Sequence, residues 1–261
     1  MPVLVYQTTG MSRIYETRES LDYGRIEEFY AHRSRRIGEL GPLRTANFGD
    51  EDLARRRDVF ERETVLPHFG VLNHSHVLDI GCGVGRWGHE LAPKVASYLG
   101  TDPCSAFLEA AQAHFDAAGL PPATHRFQLL STQDLSATTL SLQPPFDLVI
   151  IAGVMVYLND EDITSLLERL VHLTAKGSIL YVRVPVGLER RLTLKDHFSE
   201  ELGQYYHAIY RSVSEYEALF KEALPTFAVT ISRPLYPDEL CNRKETGQHI
   251  FILQETGPGA D

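Results

Sequence analysis

Three glycines at alternate positions, Gly81, Gly83 and Gly85, follow Asp79 at the end of an apolar stretch and precede Arg86 and Trp87. Glycine in such a bend turns tightly and lets main chain approach a ligand where a Cβ would collide. Dinucleotide sites use G-x-G-x-x-G, because a pyrophosphate sits on the following helix N-terminus. Here the position three after Gly83 is Arg86, and the third glycine arrives one residue early. That spacing, with an acid two before the first glycine, favours a nucleoside lacking a pyrophosphate. Asp102 stands roughly 20 residues on, at the end of the next predicted strand, where a carboxylate can accept hydrogen bonds from both ribose hydroxyls.

Other clusters carry less. Cys82, Cys104 and Cys241 form no Cys-x-x-Cys pair, and the eleven histidines include no His-Glu-x-x-His. No metal site is expected, and the cysteine usage fits a reducing compartment. His74 and His76 alternate into a strand and so point to opposite faces.

The elements that must position the glycine bend alternate in type. Strands are predicted over 76–80, 96–101, 126–130, 147–152 and 178–184, with helices over 86–92, 105–118 and 160–174 between them. The run LVIIA at 148–152 is the continuous apolar strand of a parallel sheet covered on both faces. A helix over 214–223, opened by a capping box at Ser214 and Glu217, leads to strands at 227–232 and 249–254. The first 70 residues are expected to be helical, with Ile26, Phe29, Tyr30 and Ile37 at helical spacing and Asp50 as an N-cap. The prediction is an α/β, Rossmann-like, doubly wound sheet of seven mostly parallel strands. It carries an N-terminal helical extension (1–70), a main domain (71–256) and a lid insertion (185–212) between the fifth and sixth strands.

The chain has 261 residues, 43% of them apolar, enough for one such domain with an extension. Its formal net charge of −10 disfavours a nucleic-acid partner. No apolar run approaches a membrane span, and the start MPVLVYQ lacks the pattern of a signal peptide. A cytoplasmic protein without membrane or nucleic-acid partners is expected; the oligomeric state is left open.

The segment VLDIGCGVGRWG at 77–88 resembles the first motif of the class I S-adenosylmethionine (SAM) dependent methyltransferases. GTDPCSAFL at 100–108 resembles their second motif, Gln133-Asp134-Leu135 their adenine-flanking segment, and FDLVIIAGVMVYL at 146–158 their fourth motif. The resemblance implies SAM as cofactor and assigns duties. Asp79 and the main chain at Gly81, Cys82 and Gly83 would meet the methionine part. Asp102 would bind ribose, Pro103 or Leu108 would pack near adenine, and Asp134, with Gln133 and Leu135 beside it, would receive the adenine amino group. Ala152 and Gly153 would border the sulfonium with Tyr157 across the cleft, where many relatives carry histidine. Tyr30 and Arg33, on one face of the early helix, are candidates for the cofactor carboxylate, with Arg86 and Trp87 as alternatives near the cofactor; for Arg33 the preferred reading is a stem that packs while its head stays wet.

Methyl transfer needs alignment and water exclusion from the protein. A hydroxyl acceptor also needs a base. The aromatic stretch holding His197, Tyr205, Tyr206, His207 and Tyr210 is the expected acceptor wall, with His197 as base and His207 as reserve. Arg183 and the run Arg243-Lys244-Glu245 are further candidates for that cleft. The expected reaction is O-methylation of a small molecule of specialised metabolism, a natural product or sugar. An N-methyltransferase of a small amine, an NAD(P)-dependent oxidoreductase and a non-catalytic SAM-binding module are the alternatives.

Overall fold

The computed structural model describes residues 12–46 and 50–257; the N-terminal stretch inspected for a signal peptide lies outside the described residues. A seven-stranded sheet forms the centre. Its strands in chain order are β2 (His76–Ile80), β3 (Ser97–Asp102), β4 (His125–Leu129), β5 (Phe146–Ala152), β6 (Thr174–Gly187), β9 (Phe227–Pro234) and β10 (Thr246–Glu255). The spatial order is β4-β3-β2-β5-β6-β10-β9, parallel except where β10 pairs with β6 and β9. Strand order reverses between β2 and β5, which opens a crevice at their C-terminal ends, the usual ligand position in such sheets.

Both faces are covered, as the apolar runs require. Leu78, Val149, Ile151, Leu180 and Val182 face one core with Leu166 and Leu170 of helix α6 (Asp160–Val171) and Tyr216 and Phe220 of α7 (Val213–Ala223). Val77, Leu148, Ile150 and Tyr181 face the other with Trp87 and Leu91 of α4 (Arg86–Leu91), Phe115 of α5 (Ser105–Ala117), and Val65, the last residue of α3 (Glu51–Val65). Asp50 caps α3 as expected, its carboxylate accepting from Leu53 N at 2.9 Å. Ahead of it lie α1 (Tyr23–Ser34) and α2 (Ile37–Ala46), the second broken at Gly41 with φ +74°. No helix among the described residues is long and apolar enough to cross a membrane.

Three local readings change. The capping box sits at Ser212 and Glu215: Ser212 Oγ accepts from Glu215 N at 3.3 Å, and Glu215 Oε2 accepts from Ser212 N at 2.8 Å. Ser214 lies inside α7, and Glu217 instead accepts from Ser232 Oγ. Helix α6 ends at Val171, and β6 starts at Thr174, because Gly177 at φ +94° makes an irregular entry into the strand rather than a helix stop. The insertion after the fifth strand is an antiparallel hairpin, β7 (Leu192–Ser199) and β8 (Gln204–Tyr210). A short strand near the start, β1 (Arg13–Tyr15), joins β7 as the third strand.

Candidate active site

One cavity of about 1000 Å³ opens at the crevice between β2 and β5 and extends to the hairpin. Its floor is the glycine bend. Gly81 has φ +67°, and a Cβ there would meet Val154 Cγ2 at 2.3 Å. Gly83 has φ +55°, and a Cβ there would meet nothing within 4 Å, so the main chain at this point is open to the cavity. Asp79 is buried at the end of β2, its Oδ2 accepting from Tyr98 OH at 2.6 Å. Burial pushes its carboxyl up to about 7. Asp102, at the end of β3, accepts from Gly83 N and Cys104 N, each at 2.9 Å. Burial outweighs those two hydrogen bonds and raises its carboxyl to about 6. Two buried carboxylates beside exposed glycine main chain suit a ligand that brings a cation and hydroxyls.

Cys82, Pro103, Gln133, Asp134, Ala152 and Gly153 also line the cavity. Leu108 and Leu135 do not. Leu135 packs in the core, and on α5 it is Phe107, one residue earlier, that reaches the cavity. A helix rotates about 100° per residue, so adjacent positions point in different directions. Phe107 meets Tyr30 of α1 at 6.0 Å between ring centroids, and Tyr30 meets Tyr157 at 5.3 Å, so α1 closes one side. Arg33 is off the cavity lining and donates to Arg44 O. Arg86 and Trp87 line the cavity, but the Arg86 guanidinium is paired with Asp58 and Glu61 of α3, each at 2.9 Å. Trp87 packs against Phe69 and Tyr181.

On the other side stands the hairpin. Asp196 at φ +50° makes a bulge between Leu194 and His197, which shifts the alternation so that Leu192, Leu194 and His197 all face the cavity. His197 Nδ1 lies 3.1 Å from Ser12 Oγ. Burial and then Arg13 hold its imidazole below the usual histidine range. His207, the reserve base of the sequence reading, is not on the cavity lining. It is buried, and its Nδ1 accepts from Asp196 N at 3.2 Å, satisfying a main-chain donor that the bulge removes from the ladder. Tyr205 is exposed, whereas Tyr206 and Tyr210 face inward. The Tyr157 and Tyr206 hydroxyls are 3.0 Å apart, and Tyr30 and Tyr210 continue the hydroxyl chain at either end. Burial raises all four phenols, so they stay neutral donors.

Sequence reasoning missed Phe107, Arg57, Tyr236 and Gln248, which also line the cavity. It missed Glu61 as well, a fully buried acid behind the wall. Burial opposes its charge, but Arg183 and Arg86 outweigh burial and hold its carboxyl below the usual range. A glutamate among the apolar positions of α3 was the available signal.

A family model for a methyltransferase domain matches residues 78–180. A SAM-dependent methyltransferase from Leishmania major superposes with a TM-score of 0.63 at 19% identity, over 90% of this chain and 87% of that one. This is the class I SAM-dependent methyltransferase fold. The phosphoethanolamine N-methyltransferase 1 of Haemonchus contortus, solved with phosphoethanolamine and S-adenosylhomocysteine, gives 0.70 at 19% identity, over 93% of this chain and 51% of that one. By sequence, a ubiquinone biosynthesis O-methyltransferase of Methylobacterium nodulans is 31% identical over 112 residues, 40% of this chain and 43% of its own. The chain spans less than half the length of the curated relatives it matches, 43% and 33%. The methyltransferase-domain match begins within β2 and ends within β6, so the hairpin wall lies outside it.

Proposed function

We propose that the protein is an O-methyltransferase that uses SAM and a small-molecule hydroxyl acceptor, such as a natural product or sugar. The observation that carries the reading is the cavity itself. The open main chain at Gly83 and the buried carboxylates of Asp79 and Asp102 occupy one end, and a hairpin wall with a neutral imidazole occupies the other. The donor set fits the cofactor: carboxylates for an ammonium and a ribose diol, and Phe107 with the Gln133–Asp134 pair for an adenine.

When bound, SAM supplies a methyl group on a cationic sulfur. Asp79 would hold the methionine amino end and Asp102 the ribose hydroxyls. Gly153, beyond β5, would leave room for the two reactants to meet. Tyr157 and Tyr206 would donate to the acceptor and keep its oxygen aligned, while Tyr30 shuts out water from the α1 side. His197 would accept the acceptor's proton at the imidazole nitrogen not facing Ser12.

The test is calorimetry with S-adenosylhomocysteine and with NADPH, followed by turnover on a panel of hydroxylated acceptors. Binding of the first ligand and not the second is expected. Binding of NADPH alone would overturn the reading. His197→Ala is expected to lower kcat by about 10²-fold with cofactor affinity retained.

A further inference from the structure

We propose that the methyl acceptor carries an oxyanion, a carboxylate or a phosphate, which Arg183 holds beside Gly153 with help from Lys244; this rests on the methyl-transfer reading above. Arg183 leaves β6 opposite Ala152, and its main-chain carbonyl accepts from Gly153 N at 2.7 Å. Its side chain therefore starts at the point where the two substrates would meet. Only 8% of the residue is exposed.

The orientation of the guanidinium is fixed from behind. Arg183 Nε lies 3.2 Å from Glu61 Oε1, and that same oxygen accepts from Tyr181 OH at 2.8 Å. The other oxygen of Glu61 is 2.9 Å from Arg86, which also reaches Asp58 at 2.9 Å, so the Arg86 charge has a second acid of its own. Nε faces Glu61 as an ion pair without a hydrogen bond, and the two terminal nitrogens lie towards Gln248 and Gly153 of the cavity lining. Nη1 has a long 3.5 Å contact to Gln248 Oε1, and Nη2 stands 3.2 Å from where a Gly153 Cβ would lie. Nη2 takes no hydrogen-bond partner among the described residues. A buried guanidinium whose forward edge holds only the long Gln248 contact matches the paired oxygens of a carboxylate or phosphate.

The surroundings add to the case. The carboxylates on this wall, Glu201 and Glu245, are each taken up, by Arg243 and Arg13. Lys244 lines the cavity beside them and forms no ion pair among the described residues. A positively biased wall in a chain of net charge −10 is a local feature rather than a consequence of composition.

The test titrates protein saturated with S-adenosylhomocysteine with benzoate, phenyl phosphate and the neutral control benzamide. At least one anion is expected to bind about tenfold or more tightly than benzamide, with the preference falling as salt rises. Which anion wins separates a carboxylate from a phosphate acceptor. Arg183→Gln is expected to abolish the preference, and Arg183→Lys to keep part of it, since lysine retains charge without the fork. Lys244→Gln, at an exposed position, is expected to reduce the preference about threefold, and it decides the matter should Arg183→Gln not fold. Equal binding of benzamide, an unchanged preference in these variants, or anions that displace S-adenosylhomocysteine instead of binding beside it would each overturn the proposal and leave the methyl-transfer reading standing. Failure of S-adenosylhomocysteine to bind at all would remove both.

Discussion

Asp79 and Asp102 are costly residues for an empty protein. Burial favours their neutral forms, with carboxyls at about 7 and about 6. Because the folded values lie above the ordinary 3.8, the stability from this preference is present below pH 3.8 and is lost as pH rises through about 6 to 7. A ligand with an ammonium group and a ribose diol reverses the preference, since it binds the charged carboxylates better. S-adenosylhomocysteine affinity should therefore fall as pH drops from 8 to 5, with protons released on binding near pH 6. Calorimetry in buffers of different ionisation enthalpy reads both quantities. A flat affinity across that range would count against these two carboxylates as the ligand's partners.

The two glycines make a paired prediction at the same scale. Gly81→Ala combines left-handed backbone with a 2.3 Å collision at Val154 and is expected to lose roughly 3 kcal/mol or more of stability. Gly83→Ala meets nothing within 4 Å, so only backbone strain of about 1–2 kcal/mol remains, while its methyl occupies the cavity floor. Thermal unfolding should separate the two, and cofactor affinity should fall sharply for Gly83→Ala despite its mild stability cost.

Elements were legible in the sequence where their pattern is local. The alternation of strands and helices from β2 to α6 follows from apolar runs punctuated by glycine, and the site residues at strand ends came with it. The hairpin was not legible as a sheet, because β1 pairs with β7 across about 180 residues and no local periodicity records that. The bulge at Asp196 hid the face of His197, since one extra residue reverses the alternation. His207 looked like a base by its neighbourhood, yet its ring is spent on the Asp196 main chain. That contact yields a test. His207→Phe leaves the Asp196 N–H without its acceptor, a cost of about 1–3 kcal/mol. Faster hydrogen exchange at Asp196 and a fall in kcat through misplacement of His197 are expected. Unchanged exchange would sink the assignment of His207 to the bulge.

At the scale of the molecule, the hairpin and the sheet must move together if acceptor and cofactor are to be aligned, and one buried arginine joins them. Arg211 follows β8 directly and is fully buried. Its Nε donates to Asp160 Oδ1 at 2.7 Å, and its terminal nitrogens donate to Met155 O at 3.0 Å and Leu158 O at 2.8 Å. Those carbonyls bracket the short turn that carries Tyr157, and Asp160 opens α6. Arg191, just before β7, reaches the same Asp160 oxygen at 3.0 Å and Glu215 at 2.9 Å, so both ends of the hairpin are tied to one acid. Removing Arg211 leaves the Met155 and Leu158 carbonyls without these donors, at about 1–3 kcal/mol for each buried acceptor, while Asp160 keeps Arg191. Arg211→Met should accordingly lower Tm by about 2–4 °C per kcal/mol. It should also loosen the Tyr157–Tyr206 contact, raising the apparent KM for the acceptor more than for the cofactor. Adding Asp160→Asn should recover little of the stability, because the two carbonyls stay without donors and Arg191 keeps only Glu215 of its two acids. A Tm for Arg211→Met within about 2 °C of wild type would mean that the hairpin is held by its apolar packing against α1 and the sheet rather than by this node.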